Sequence, residues 1–260
     1  MHNIGLFVPS EIDQFSPKTA WRALHLLQSL GLTVTYPTNL TTCGMELYNQ
    51  GDFQTAKQLG EKMIEQYDSC SYIVSLGSSC AAYIHKRFSS LFHNTTMHNE
   101  YRGFVERFMD ISDFLANIIH YEPTNAFPHR VAFMDNCQSV NDYQSPSHPN
   151  QPGLLNEPRQ LLKAVPELEL VEMQQNDICC GYGGLFANRF TVISDRLAQQ
   201  KIDNAIAAKA EFIVSTDMGC LLHLKSYAEK KGANIGFMHI VDILGPDNYA
   251  KNMTTGAIVS

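Results

Sequence analysis

The chain has 260 residues, of which 44% are hydrophobic and 17% charged, and its formal net charge at pH 7 is −7. This balance is enough to bury a full core and predicts one large or two small domains. The absence of any run of Lys or Arg argues against nucleic acid or an anionic membrane surface as a partner. No apolar stretch approaches the ~18 residues of a membrane-spanning helix, and the N-terminus lacks a signal-peptide pattern, so we expect a cytoplasmic protein without membrane insertion.

In the first half of the chain, short apolar segments alternate with longer amphipathic ones. The periodicity predicts strand 4–8, helix 17–31, strand 32–36, helix 53–67, strand 72–76, and helices 80–92 and 100–119. Gly31 is a typical stop signal at the end of the first helix. An alternation of this kind predicts a parallel sheet covered by helices.

A proline-containing segment with weak periodicity, 122–130, is predicted to link two halves, 1–122 and 130–260. After it the alternation starts again, with strand 130–134, helix 157–165, strand 168–173, helix 190–209, strand 211–216, helix 218–231 and strand 235–239. The Pro- and Asn-rich segment 138–158 is predicted to be a long loop, and such loops are usually functional. The last residues, from about Tyr249, are expected to fray.

The chain contains seven cysteines, which are Cys43, Cys70, Cys80, Cys137, Cys179, Cys180 and Cys220. Their number is odd, and a reducing compartment disfavours structural disulfides, so metal or redox chemistry is the first functional interpretation. Free cysteine is also among the most buried residue types. Packing is therefore the favoured role for Cys70, which has no counterpart in the other half.

The two halves repeat the placement of their cysteines after predicted strands of the same rank. The matched segments are Ser10 with Cys137, Thr42-Cys43-Gly44 with Cys179-Cys180-Gly181, and Gly77-Ser78-Ser79-Cys80 with Asp217-Met218-Gly219-Cys220. Such matched positions indicate an internal duplication. The predicted fold class is therefore α/β, with two similar, Rossmann-like halves that each contain a parallel sheet.

The cysteines of the second half follow three different predicted strands. Because ligands bind at the carboxyl ends of parallel strands, we expect these cysteines to converge on one point. The set is Cys137, Cys179, Cys180 and Cys220. Four converging thiolates can hold zinc or an iron–sulfur cluster. Zinc sites commonly use two cysteines spaced two to four residues apart, and no pair here has that spacing, so the vicinal pair favours a multi-iron cluster.

Three glycines follow the vicinal pair, at Gly181, Gly183 and Gly184. They permit positive φ and leave backbone N–H groups free to hydrogen-bond cluster sulfur, so we predict that they form the cradle of the cofactor. A dinucleotide site is disfavoured, because no G-x-G-x-x-G follows a strand and opens a helix. His239 ends the last predicted strand on the cysteine side, although packing is its favoured role.

Six segments together carry a family resemblance that extends over almost the whole chain. They are IGLFVPSEIDQFSP, CGMELYNQGD, SLGSSCAAY, CCGYGGLF, STDMGCLLHL and FMHIVDIL. With them the chain resembles the cysteine-rich CCG domain family. The resemblance is strongest to the A subunits of three-part lactate-utilisation iron–sulfur complexes. It extends to the B subunit of heterodisulfide reductase and to iron–sulfur subunits of glycolate and glycerol-3-phosphate oxidoreductases.

The resemblance implies a non-cubane [4Fe–4S] cluster or pair of clusters, held in the complete motif by five cysteines per domain. Carried onto this chain, it makes Cys137, Cys179, Cys180 and Cys220 the metal ligands and puts Asp217 at the fifth position. The positions that match in the first half are Ser10, Thr42, Cys43, Gly77 and Cys80, of which two are thiols. The first half is then a structural partner that has lost its cluster, or it lends Cys43 and Cys80 to a shared site. Around Cys137 the chain has MDNCQS, where relatives commonly carry histidines.

Three functions are compatible with these residues. The first, which the resemblance implies, is an iron–sulfur electron-transfer subunit that works with two further subunits to oxidise L-lactate or a related 2-hydroxy acid to pyruvate. The sequence shows no convincing acid–base pair, so chemistry on the substrate is assigned to a partner. The second is a zinc-stabilised or metal-free scaffold of a redox complex. The third is a thiol–disulfide enzyme that works through Cys179 or Cys180.

Overall fold

Two parallel sheets form the framework of the protein. The computed structural model describes residues 3–37, 39, 42–143, 145–147 and 156–245. The strands are β1 (Asn3–Phe7), β2 (Thr33–Thr35), β3 (Tyr72–Ser75), β4 (Phe108–Asp110), β5 (Arg130–Phe133), β6 (Glu169–Val171), β7 (Phe212–Ser215) and β8 (Gly236–His239). Their orders are β2-β1-β3-β4 and β6-β5-β7-β8, and every pairing is parallel. The same order in both sheets confirms the predicted α/β fold with two similar halves.

Helices connect the strands and cover the sheets. In the first half they are α1 (Ser10–Phe15), α2 (Pro17–Ser29), α3 (Met45–Asn49), α4 (Phe53–Gln66), α5 (Ser78–Phe92), α6 (His98–Arg107) and α7 (Ile111–Asp113), which continues as a π-helix, Phe114–Ile119. In the second half they are α8 (Cys137–Asp142), α9 (Glu157–Ala164), α10 (Leu185–Arg189), α11 (Thr191–Ala207), α12 (Met218–Lys231) and α13 (Ile240–Leu244). Within the described ranges, none of these helices has both the length and the apolar character needed to cross a bilayer.

The predicted helix 100–119 is wrong, because a fourth strand interrupts it. Helix α6 ends at Arg107, and β4 then pairs in parallel with β3. All three residues of β4 are fully buried. A short apolar run does not distinguish a strand from a helix by its periodicity, and here the open edge of β3 decides between them.

The predicted long loop, 138–158, is a loop only in part. Helix α8 occupies its start, and the Asn136 side chain caps this helix by accepting hydrogen bonds from the N–H groups of Gln138 and Ser139. Residues 148–155, like the end from Tyr249 that was expected to fray, lie outside the described residues. The predicted helix 190–209 is confirmed as α11, and the short helix α10 precedes it, with Phe190 between the two.

One hydrophobic core joins the two sheets. Val74 of β3 and Val214 of β7 belong to the same cluster of buried residues. Phe127, in the segment between the halves, lies in this cluster as well. The boundaries 1–122 and 130–260 stay a prediction, but the packing shows that the two halves bury apolar surface against each other.

A buried carboxylate, Asp110, ends β4. Its Oδ1 accepts a hydrogen bond of 2.7 Å from the N–H of Ser112, and its Oδ2 has no hydrogen-bond partner in the part of the chain that the structure describes. Burial raises the pKa of Asp110 to about 8, and the nearby charges of Asp113 and Glu157 contribute to the increase. An ionised carboxylate is costly at this depth unless it is paired and hydrogen-bonded.

We expect Asp110→Asn to stabilise the protein at alkaline pH but not near pH 4. The folded state retains a proton on Asp110 between the ordinary pKa of 3.8 and the raised pKa of about 8. The stability of the wild type therefore falls as the pH rises through this window. Asparagine keeps the acceptor for Ser112 and carries no charge, so its advantage in unfolding free energy grows to roughly 1–3 kcal/mol at pH 9.

Urea unfolding at pH 4, 6 and 9 measures this difference. The matched control is Asp52→Asn at the exposed N-cap of α4, where hydrogen bonds from Thr55 lower the pKa of the carboxyl. That substitution removes a favourable charge and should not stabilise the protein at any pH. Equal stability of the wild type and Asp110→Asn at pH 9 would contradict the prediction.

Candidate metal centre

Three loops at the carboxyl ends of neighbouring strands carry the four cysteines of the second half. Cys137 follows β5 and begins α8, the pair Cys179 and Cys180 lies in the loop between β6 and α10, and Cys220 lies in the first turn of α12 after β7. All four side chains line one cavity of about 340 Å³. The loops are adjacent because β5 pairs with both β6 and β7.

The four thiols form a continuous chain of contacts. The Sγ atoms of Cys137 and Cys179 are 3.8 Å apart, Cys179 contacts Cys180, and Cys180 contacts Cys220. Cys180 and Cys220 are buried, whereas Cys137 and Cys179 are partly exposed. The chain of thiols therefore runs along the cavity from two buried side chains to two partly exposed ones.

The electrostatic environment separates Cys179 from the other three thiols. Hydrogen bonds from Cys137 and Cys180, together with the charge of Lys201, lower the pKa of Cys179 far below its ordinary value. The same contact with Cys179, and then burial, raises the pKa of Cys137. Hydrogen bonds with its two neighbouring thiols, and then burial, raise the pKa of Cys180.

At Cys220, the contact with Cys180 lowers the pKa, but burial and the charge of Asp217 outweigh it, so the pKa is raised. Cys179 is thus the most acidic of the four thiols, and the other three hold their protons more tightly than an ordinary thiol does. A metal ion or cluster that binds all four sulfur atoms has to displace those protons.

The glycines after the vicinal pair have the backbone conformations that the sequence suggested. Gly181, Gly183 and Gly184 have φ of +91°, +48° and +58°, which side chains rarely adopt. The N–H of Gly181 donates a hydrogen bond of 3.3 Å to Sγ of Cys179. A Cβ atom at Gly181 would lie 2.6 Å from the backbone oxygen of Ser194 in α11. The loop therefore packs tightly on α11 and directs an N–H group at a sulfur atom.

Asp217, at the fifth position of the family motif, has both carboxylate oxygens engaged by backbone groups. Its Oδ1 accepts from the N–H of Cys220 at 3.2 Å and caps α12. Its Oδ2 accepts from the N–H of Ser79, in the first half, at 3.3 Å. Asp217 lines the cavity, but these bonds give it a structural role that joins the two halves beside Cys220.

Asn136 is a part of this site that was not predicted from the sequence. While its Oδ1 caps α8, its Nδ2 donates a hydrogen bond of 3.5 Å to Sγ of Cys220. One amide thus orients the loops of Cys137 and Cys220. The sequence does contain a signal for it. Asparagine is a typical N-cap residue, and Asn136 stands directly before a cysteine at the end of a predicted strand.

Residues of the first half close the other side of the cavity, and the sequence analysis missed them too. They are Glu11, Met45, Glu46, Asn49, Gln50 and Ser79. The hydroxyl of Tyr182 lies 3.4 Å from Oε1 of Glu11. Burial raises the pKa of Glu11, and the charges of Asp217 and Glu46 add to the shift. The available signal was the duplication, because Glu11 follows Ser10, the counterpart of Cys137.

The remaining cysteines lie elsewhere. Cys43 and Cys80 are in contact with each other and, among the described residues, do not line the cavity. The geometry therefore does not support the alternative in which these two thiols contribute to a shared metal site. Cys70 is buried, in agreement with the packing role assigned to it.

His239 is fully buried, with Nε2 3.0 Å from the Leu76 oxygen and Nδ1 accepting from the N–H of Val241. Burial lowers its pKa, so it is a neutral structural residue.

The donor set is suited to a soft metal centre. Within the described ranges, no three His, Cys, Asp or Glu side chains are grouped closely enough to hold a single ion. A closed tetrahedral zinc site is therefore not preformed. Four sulfur atoms from three loops, an N–H group directed at one of them and an adjacent cavity fit a larger thiolate-bound group better.

Comparison with known proteins agrees with this chemistry. The model of the CCG family, described as a cysteine-rich domain, matches residues 6–85 and 131–225. The first matched segment runs from the end of β1 through β3, and the second runs from within β5 through β7. The duplication inferred from the cysteine positions therefore corresponds to two copies of one domain type.

Curated relatives match along most of the chain. A protein named Lactate utilization protein A from Geobacillus kaustophilus is 29% identical over 94% of this chain and 99% of its own length. Lactate utilization protein A 1 from Bacillus mycoides is 28% identical, and Lactate utilization protein A 2 from Bacillus cereus is 26% identical, each over at least 93% of both chains. This chain is thus similar to full-length proteins of that name.

Proposed function

Because the chain belongs to the CCG family of cysteine-rich domain proteins, we propose that it is an iron–sulfur electron-transfer subunit. Its complex would oxidise L-lactate, or a related 2-hydroxy acid, to pyruvate. The names of its relatives support the substrate class. The observation that carries the proposal is the meeting of four thiols from three strand ends on one cavity.

The proposed ligands are Cys137, Cys179, Cys180 and Cys220. An iron–sulfur cluster bound by them, for which we propose the [4Fe–4S] type, supplies one-electron transfer. Gly181 and Asn136 each donate a hydrogen bond to a ligand sulfur, and such bonds stabilise negative charge on the sulfur and raise the reduction potential. Gly183 and Gly184 hold the loop close to the cavity through their positive φ.

Lys201 supplies the positive charge next to these thiolates. It is buried, its Nζ donates to the backbone oxygen of Asn176 at 2.9 Å, and its charge favours the thiolate of Cys179. Burial lowers the pKa of Lys201, while the neighbouring thiolates work against this shift. A fixed cation near four thiolates reduces their mutual repulsion when they are all ionised.

We assign oxidation of the hydroxy acid to a partner subunit. The described lining of the cavity contains the carboxylates of Glu11, Glu46 and Asp217 against the guanidinium of Arg189. This excess of acidic groups disfavours an anionic substrate beside thiolates. We propose two further subunits, one of which would release the two protons and two electrons of the alcohol oxidation. The present chain would accept the electrons one at a time.

Metal analysis of the full-length protein tests the proposal. After anaerobic reconstitution with ferrous iron and sulfide, we expect iron and acid-labile sulfide in similar amounts and a brown protein with sulfur-to-iron charge-transfer absorption. About one zinc per chain without sulfide would instead identify the zinc-stabilised scaffold. A colourless chain that retains neither metal under these conditions overturns the proposal.

The lowered pKa of Cys179 also fits a second function, thiol–disulfide exchange. A thiolate next to a buried thiol is the arrangement that such enzymes use. Alkylation by iodoacetamide separates the two functions. An exchange enzyme has a Cys179 that reacts rapidly in the protein as isolated, whereas a metal ligand is protected until the metal is removed by a chelator.

A further inference from the structure

A second pair of thiols lies in the first half, at the strand ends that match those of the candidate metal centre. Cys43 is in the loop after β2, and Cys80 is in the first turn of α5 after β3. Their Sγ atoms are 2.9 Å apart, compared with 3.8 Å for Cys137 and Cys179. A disulfide bond is about 2.05 Å long, so these two sulfur atoms need to approach each other by less than about 1 Å to form one.

The surroundings of this pair favour thiol chemistry over metal binding. Cys43 and Cys80 are 3% and 5% exposed and belong to an apolar cluster of the first half. The other positions of the motif in this half are Ser10, Thr42 and Gly77, so no further thiol is available there. Two sulfur ligands without others do not form a closed site for zinc or a cluster.

We propose that Cys43 and Cys80 form a second redox site, in which a dithiol is oxidised reversibly to a disulfide by hydrogen peroxide. The site is separate from the four-cysteine cavity, because neither residue lines that cavity in the described structure. The proposal does not depend on the function proposed above. The burial of both thiols restricts the oxidant to a molecule of about this size.

The reaction balances with one peroxide per pair. One thiol loses its proton and attacks a peroxide oxygen, so that a sulfur–oxygen bond forms, the oxygen–oxygen bond breaks, and hydroxide leaves and takes up the proton. The second thiol then attacks this sulfenic acid, which forms the sulfur–sulfur bond and releases a second water. The two sulfur atoms together lose two electrons, and peroxide is reduced to two waters. A dithiol is larger than peroxide, so it reverses the change by thiol–disulfide exchange when local opening of the first half exposes the disulfide.

The surroundings of the pair disfavour ionisation of Cys80. The hydrogen bond with Cys43 raises the pKa of Cys80 well above its ordinary value, and burial and the charges of Glu11 and Asp217 add to the shift. Tyr83, also on α5, is a further titratable group near the pair, and burial raises its pKa. The raised pKa disfavours the thiolate of Cys80, so Cys80 is not a site of rapid alkylation.

Peptide mapping of the full-length protein tests the proposal. The wild type and Cys70→Ser are treated with hydrogen peroxide, quenched in acid, alkylated while denatured and digested with trypsin. We expect a disulfide-linked pair of peptides, 23–57 with 63–86, that disappears after treatment with dithiothreitol. Cys70→Ser assigns the link, because peptide 63–86 contains Cys80 as its remaining cysteine in that variant.

Thermal unfolding gives a second measurement that does not depend on the digest. The disulfide closes a loop between residues 37 positions apart, so oxidation should raise the Tm by roughly 5–10 °C. Cys80→Ala should show no such increase. The proposal is overturned if peroxide oxidises Cys137 or Cys179 while Cys43 and Cys80 both stay open to alkylation. Oxidation of either thiol to sulfinic acid without a link overturns it equally.

Discussion

Cys180→Ser is expected to abolish iron and sulfide binding, whereas Cys70→Ser should leave both unchanged. Cys180 is the central member of the chain of thiols, because it contacts Cys179 on one side and Cys220 on the other. Serine is a far weaker ligand for iron than thiolate, and three cysteines from separate loops would remain. Loss of a ligand should cost more than the roughly 10- to 100-fold in affinity that is typical of residues behind the ligands.

The control makes this result specific. Cys70 and Cys180 are both buried, and Cys70 lies outside the cavity, so the two substitutions change the interior in a similar way. Iron, sulfide and visible absorption are measured after anaerobic reconstitution, with circular dichroism as the check of folding. A folded Cys180→Ser protein that retains wild-type iron and sulfide would show that Cys180 is not a ligand.

The second large effect is expected for Gly181→Ala, which should destabilise the protein by roughly 2–5 kcal/mol. The new Cβ would approach the backbone oxygen of Ser194 to 2.6 Å and Cβ of Leu197 to 3.1 Å, while φ of +91° adds strain. Backbone strain and overpacking each cost about 1–3 kcal/mol. The loop can relieve the contact only by moving away from α11, which would also displace Cys179 and Cys180.

Gly232→Ala is the matched control for this substitution. Gly232 ends α12 with φ of +67°, and no atom lies within 4 Å of the position that a Cβ would take there. This variant therefore isolates the conformational cost, about 1–2 kcal/mol. Urea unfolding measures both variants, and the metal content reports the position of the loop. Equal destabilisation by the two substitutions would refute the steric argument.

Much of the framework could be predicted because the responsible signals are local in the sequence. The apolar runs that form β1, β3, β5 and β7 alternate with amphipathic helices, and the repeated cysteine positions indicated the duplication. The family resemblance drawn from the sequence motifs is confirmed by the match of the CCG model. The role of the four cysteines as ligands stays a prediction, although the structure brings them to one cavity.

The features that were missed depend on contacts between distant parts of the chain. Strand β4 forms because β3 offers it an open edge, and its own three residues do not reveal this. Glu11 and Tyr182 are 171 positions apart and meet only because the two halves face each other across the cavity. A single sequence does not show which surfaces of the two halves face each other, nor which strand edges pair.

The hydrophobic core that joins the two sheets has a consequence for the evolution of this gene. After a duplication, a copy that loses its ligands can be deleted only if the surviving copy folds without it. Here Val74 and Val214 share one interior, and the carboxylate of Asp217 is anchored by the backbone of Ser79. Deletion of the ligand-poor copy would expose that interior and release an anchor next to Cys220. Selection can thus maintain a copy with few ligands because it completes the shared core.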